Sequence, residues 1–230
     1  MKTIGLIGGM SWESTVPYYQ LINQGIQAKL GGWHSAKIVL CSVDFQEIET
    51  LQRAGDWEAA AKILCRAAQA VEAGGAEMLA LCTNTMHIVA PQMAAAVRIP
   101  MLHIADATAA EITARGYKTV GLLGTNFTME QPFYKDRLRE QHGIAAIVPE
   151  AADRQFVHHV IFQELVFGKV VEASRREFLR IIAGLHEQGA EGVVLGCTEI
   201  PMLVQQAQTP VPLLDTMRIH AERLVAWALA

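Results

Sequence analysis

The chain has 230 residues, 51% of them hydrophobic and 18% charged, with a net charge of −4. That length holds one large domain or two small ones, and the composition belongs to a packed core rather than a disordered chain. The charge gives no global pull toward nucleic acid or an anionic membrane, no Lys/Arg run marks a basic patch, and no 18-residue apolar run reads as a membrane span.

The opening "MKTIGLIGGMSWES" breaks after Ile7 at Gly8-Gly9, so it reads as a buried strand and a turn, not as a signal peptide. Strands are expected at residues 3–8, 37–43, 77–82, 119–124, 145–149 and 191–196. Their unbroken apolar character suits a parallel sheet covered on both faces. A helix is expected from near Ser14, with Pro17 early in it and Gly31-Gly32 past its end. Further helices are expected at 57–73, 129–141, 156–167 and 174–188. This alternation is an α/β pattern. Cys41, Cys65, Cys82 and Cys197 contain no CxxC pair, so neither a zinc site nor a thioredoxin-type motif is suggested. At this size a disulfide framework is not expected, and the cysteines are read as reduced thiols in the cytoplasm.

The chain repeats itself. "GLIGGMSWEST" from Gly5 resembles "GLLGTNFTMEQ" from Gly121, an offset of 116. "GAEMLALCTNT" from Gly75 resembles "GAEGVVLGCTE" from Gly189, an offset of 114. "IPMLHIAD" from Ile99 resembles "VPLLDT" from Val211, with Pro100 and Pro212 separated by 112. Three matches in one order, at nearly one offset, imply two similar α/β lobes. The first is expected over residues 1–100 with 212–230, the second over 101–211. Each would be a parallel sheet flanked by helices. Ligands bind beyond the carboxyl ends of such strands, so the cleft between the lobes is the expected site. Gly8-Gly9-Met10, Thr83-Asn84-Thr85, residues 125–128 and Cys197-Thr198-Glu199 would converge there.

The repeat also sets a register. Cys197 lies eight residues after Gly189, and Thr83 lies eight after Gly75. Thr83, not Cys82, therefore pairs with Cys197, and Cys82 pairs with Gly196.

"GLIGGM" at the start, "TNTMH" after a strand and "GCTEI" late in the chain resemble the aspartate/glutamate racemase family, over essentially the whole chain. The resemblance implies two α/β lobes, a central cleft, a homodimer, no cofactor and an amino-acid substrate. It also implies two cysteines working on opposite faces of the substrate α-carbon. This sequence departs from that pattern in the first motif, where Thr83-Asn84-Thr85 replaces Cys-Asn-Thr, while Cys197 is retained. It departs again where aspartate-selective relatives carry a Lys two residues before a Gly, since Val166 precedes Gly168 here. Gln52, with Arg53 adjacent, stands nearest the Arg that reads a distal carboxylate. Neutral substrates such as homoserine or methionine are therefore open beside aspartate and glutamate.

Racemisation removes an α-proton from one face and returns one to the other. Charge developing on the substrate carboxylate must be stabilised, and helix N-termini supply N–H groups for that. Thr83, Asn84, Thr85, Thr198 and Glu199 sit where helices are expected to start, and Thr125 and Thr128 add hydroxyls. A helix start after Cys197 would lower its thiol below the usual ~8.5. Glu199 would oppose thiolate formation if close and ionised, so its expected role is to orient the site or meet the substrate ammonium. Met10 would form a wall. Thr83 is too weak an acid to rest as an alkoxide but can deliver a proton directly or through water. The expected pair is thus unequal, with Cys197 on the L-face and Thr83 or its water opposite. Cys41, Cys65 and Cys82 read as core residues. His87 reads equally as a packing or a site residue. His103 and Asp106 read as shaping the crossing between lobes and capping the next helix. His158-His159 lacks a third ligand, so no metal is expected. Two readings stand beside the racemase: a maleate isomerase or hydantoin racemase of the same superfamily, and a non-catalytic small-molecule binder.

Overall fold

The computed structural model describes residues 1–230 and divides into two compact units. The first comprises Met1–Ile104 with His220–Ala230, the second Ala105–Ile219.

The first unit runs β1 (Ile4–Gly8), α1 (Trp12–Leu30), β2 (Ile38–Ser42), α2 (Phe45–Ala54), α3 (Trp57–Ala73), β3 (Met78–Leu81), a 3₁₀ turn (Thr85–Val89), α4 (Ala90–Ala95) and β4 (Met101–Leu102). The chain continues through α5 (Ile104–Ala114), β5 (Thr119–Gly124), α6 (Asn126–Glu130), α7 (Pro132–His142), β6 (Ala145–Ile147), α8 (Ala151–Gln163) and α9 (Glu172–Glu187). It closes with β7 (Val193–Gly196), α10 (Ile200–Leu203), β8 (Leu213–Asp215) and α11 (Thr216–Leu229). The sheets are parallel, in orders β2-β1-β3-β4 and β6-β5-β7-β8. Replacing each strand of the first by the strand four later gives the second. The fold is two α/β lobes of one topology.

The repeat motifs have physical work in common. Gly75 and Gly189 sit at φ +91° and +102°, a backbone region that costs other residues dearly. Two residues on, Glu77 accepts the Thr3 N–H, and Glu191 accepts the Lys118 and Thr119 N–H groups. Each glutamate thereby ties the entry of its strand to the entry of the central one. The Pro100 carbonyl accepts from Leu79 N–H, and the Pro212 carbonyl accepts from Val193 N–H, both at 2.8 Å. A proline cannot donate to a ladder, but its carbonyl opens the edge strand in both units.

Helix faces follow the apolar spacing. In α3, Ala60, Ala61, Leu64, Ala67, Ala68 and Val71 are buried against Ile7, Leu79 and Leu81 of the first core. In α9, Phe178, Ile181, Ile182 and Leu185 pack with Leu123, Val193 and Leu195 of the second. The larger of these, Leu64, Val71, Phe178, Ile181, Ile182 and Leu185, each contribute about 1.5–3 kcal/mol by leaving water, and the alanines correspondingly less. No helix is long and apolar enough to cross a membrane.

Several elements differ from the sequence reading. The first helix starts at Trp12, so Pro17 lies in its second turn, where it lacks an N–H for an internal bond. The helix expected over 129–141 is two, because Pro132 starts a new one at α7. The helix expected over 156–167 starts earlier, at Ala151, and its last three residues form a separate 3₁₀ turn, Leu165–Phe167. The strands expected to Cys82 and Pro149 stop at Leu81 and Ile147. β4, β8 and α2 have no counterpart in the sequence reading.

Candidate active site

In the first unit the chain bends away from the sheet right after Leu81. Cys82 is wholly enclosed, and burial pushes its thiol far above the ordinary range. That burial disfavours the thiolate. Thr83 follows, 8% exposed, then Asn84 and Thr85, which leads into the 3₁₀ turn. The Asn84 carbonyl accepts the His87 N–H, and the Thr83 carbonyl accepts from the His87 ring. The backbone N–H groups here belong to a 3₁₀ turn rather than to an α-helix start.

Met10 is buried in the first core beside the β1 turn. Thr15 shapes that turn: its hydroxyl accepts the Gly9 N–H at 2.8 Å and donates to the Ser11 carbonyl at 2.9 Å. Gln52, 4% exposed on α2, donates its amide N–H to the Met86 sulfur at 2.8 Å. That contact ties the Gln52 amide to the Thr85–Val89 turn. Arg53 points to solvent and pairs with Glu49, so its guanidinium is already committed.

In the second unit the equivalent bend follows β7. Cys197 is 7% exposed and donates its Sγ–H to Glu199 Oε2 at 2.9 Å. The Thr198 hydroxyl donates to the same oxygen at 2.9 Å. Backbone N–H groups of Glu199 and Ile200 pull the thiol downward, but burial, then the Glu199 charge and its hydrogen bond, hold it well above the ordinary range. This corrects the expectation of a thiol lowered by a helix start. The reason is visible: α10 has only four residues, too few for a useful dipole, and a carboxylate packs on the sulfur. Thr125 caps α6, accepting the Thr128 N–H at 3.3 Å, and the two hydroxyls lie 3.3 Å apart. Val166 is partly buried against the second core.

Glycines make this packing possible. A Cβ on Gly196 would lie 2.8 Å from the Leu123 carbonyl oxygen, and one on Gly124 would lie 2.9 Å from the Gly196 oxygen. Cys82 occupies the matching position in the first unit, where a Cβ is accommodated.

Thr83, Asn84, Thr85, Met10 and Gln52 thus gather around strand ends of the first sheet, and Cys197, Thr198, Glu199, Thr125 and Thr128 around those of the second. The sequence reading missed the Cys197–Glu199 hydrogen bond. The i, i+2 spacing in "GCTEI" was its only signal. Asp106 does not cap a helix: it lies inside the first turn of α5 and holds Arg137 at 2.6 Å and His142 at 3.0 Å. A neutral thiol whose proton rests on a buried carboxylate can donate that proton, or pass it to the carboxylate and become an acceptor.

Comparison with known proteins identifies a family for the chain. A family profile described as Asp/Glu/Hydantoin racemase matches residues 7–224. The broad specificity amino-acid racemase RacX of Bacillus subtilis (strain 168) is 23% identical over 239 aligned positions, covering 99% of this chain and 98% of its own. A crystal structure from Yersinia pestis, assigned as an Asp/Glu racemase, superposes with a TM-score of 0.93 at 53% identity, covering all of both chains. An aspartate racemase homologue from Pyrococcus horikoshii OT3 superposes with a TM-score of 0.85 at 36% identity, again over both whole chains.

Proposed function

Because the chain belongs to the Asp/Glu/Hydantoin racemase family, an isomerase family, we propose that it racemises amino acids with an unequal pair of proton carriers, Cys197 and Thr83. The observation that carries this reading is the Cys197 Sγ–H bound to Glu199, in the register that the internal repeat matches to Thr83.

Cys197 rests as a thiol. With substrate bound, Glu199 Oε2 takes the thiol proton, and the thiolate takes the α-proton from the L-face. The electron pair left on the α-carbon spreads into the substrate carboxylate, where hydroxyls and backbone N–H groups of the strand-end turns offset its charge. Thr83 Oγ–H, or a water held by it, delivers a proton to the opposite face. Cys197 ends the cycle as a thiol, Glu199 releases its proton to solvent, and Thr83 or its water takes one back. No cofactor is required by these steps. Thr125, Thr128, Asn84, Thr85, Thr198 and Met10 line the substrate in this reading.

Gln52 and Val166 bear on side-chain choice. By the resemblance, an uncharged amide and an aliphatic side chain replace the cations of acid-selective relatives. The substrate range proposed here therefore extends from aspartate and glutamate to neutral amino acids such as homoserine. A homodimer in the cytoplasm completes the reading, on the resemblance alone.

A panel of L- and D-amino acids, followed by chiral chromatography, tests it. Cys197→Ala is expected to lose inversion, and Cys82→Ala to retain it. Loss of activity in Cys82→Ala at wild-type folding would show that Cys82 supplies a working thiol and would contradict the pairing of Cys197 with Thr83.

A further inference from the structure

His87 is 1% exposed, yet both of its ring nitrogens are engaged. Nδ1 lies 2.8 Å from the Thr83 carbonyl oxygen, which can only accept, so Nδ1 carries the proton. Nε2 lies 3.2 Å from the Ile104 backbone N–H, which can only donate, so Nε2 carries the lone pair. The two bonds select one neutral tautomer. Burial, reinforced by the neighbouring His103 and His220, holds the ring's pKa well below the ordinary histidine range. The His103 ring lies 4.4 Å away and the His220 ring 6.3 Å away, centroid to centroid. His220 is fixed in turn: its Nε2–H donates to the Leu102 carbonyl at 3.1 Å, and its Nδ1 accepts from the Tyr18 hydroxyl at 2.9 Å. Alternate residues of the β4 exit, Leu102 and Ile104, are thus each held by a histidine.

We infer that His87 is the positioning residue for Thr83: its imidazole bridges the Thr83 carbonyl to the Ile104 N–H and so fixes where the Thr83 hydroxyl points. This rests on the racemase reading above. His87 does not touch the reacting atoms, because neither ring nitrogen is free to do so. It acts through the backbone of Thr83. A carbonyl tied on one side and a 3₁₀ turn on the other leave the residue little freedom in φ and ψ, and the hydroxyl inherits that order. Misplacing a proton donor by about 1 Å costs up to about 100-fold in rate. Cys197 is held by Glu199 and not by this bridge, so the two faces should respond differently.

Asparagine and glutamine separate the two bonds. The amide N–H of Asn reaches where Nδ1–H stands, and the amide of Gln reaches where Nε2 stands. His87→Asn is expected to keep the Thr83 tie, and His87→Gln to keep only the Ile104 tie. The readout is the ratio of inversion to α-proton exchange, measured by NMR from an L-amino acid in deuterated water, with thermal unfolding as the folding control. His87→Gln is expected to lower the ratio by about 10- to 100-fold, with His87→Asn close to wild type. A positioning role is overturned if His87→Gln, folded, keeps the wild-type ratio, or if both variants lower it equally. A wild-type protein that exchanges no α-proton from any amino acid in the panel refutes the racemase reading and takes the role of His87 with it.

Discussion

Gly196→Ala tests whether the site's geometry depends on a missing Cβ. The new methyl would lie 2.8 Å from the Leu123 carbonyl oxygen, 2.9 Å from Leu122 Cδ1 and 3.3 Å from Thr128 Cγ2. The leucine side chain can turn aside. The carbonyl cannot, because Leu123 and Gly124 are paired in register with Leu195 and Gly196. Overpacking of this kind costs about 1–3 kcal/mol. For a chain of this size each kcal/mol lowers Tm by about 2–4 °C, so a fall of about 2–12 °C is expected in a thermal melt followed by circular dichroism. Cys197 is the next residue, and its displacement should reduce inversion by more than the loss of folded protein explains. Gly184→Ala supplies the contrast: it lies within α9, and its Cβ would meet nothing within 4 Å. That substitution is expected to stabilise by about 0.5–1 kcal/mol. A Gly196→Ala protein that melts with wild type and inverts substrate normally would refute the argument.

Glu199→Gln removes the charge that disfavours the Cys197 thiolate, so the midpoint of iodoacetamide alkylation at Cys197 should move to lower pH while inversion falls by about 10²- to 10⁴-fold for want of a proton acceptor. An unchanged alkylation profile would separate Glu199 from the thiol. The buried histidines predict the acid limit of stability. His220 is pushed down to about 4 by burial, so below about 6.5 the unfolded chain binds a proton that the folded one refuses. Stability present above pH ~6.5 is therefore lost as pH falls toward about 4, by about 3 kcal/mol from this residue, and His87 acts in the same direction. Urea unfolding from pH 7 to 4.5 should show the decline, and His220→Gln should flatten it. Equal slopes in variant and wild type would contradict this assignment.

What could be read from the chain follows from the range of the interactions involved. The central strands were legible because unbroken apolar runs between glycines leave few alternatives, and the lobes were legible because the motifs recur in order. β4 and β8, two and three residues long, were not, since so short a run carries no period. Their shared signal was the proline before each. At the site, the repeat count pairs Thr83 with Cys197, and a nearby Glu199 is foreseen to oppose the thiolate, but the sequence does not show that burial and this carboxylate outweigh the N–H groups. A helix-start argument counts only local N–H groups. The thiol answers to burial and to a carboxylate whose direction sequence spacing does not specify. The three histidines lie still further from sequence reasoning: His220 stands on α11, and only the folded chain brings it beside His87.

The central claim is that the two faces of the substrate are served by different groups. Its most direct test is α-proton exchange in deuterated water, followed by NMR alongside optical inversion, from each enantiomer of one substrate. A thiol on the L-face and a hydroxyl or water opposite predict that the L-enantiomer loses its α-proton faster than it inverts, and that the D-enantiomer shows no such excess. Equal exchange-to-inversion ratios from the two enantiomers would contradict it.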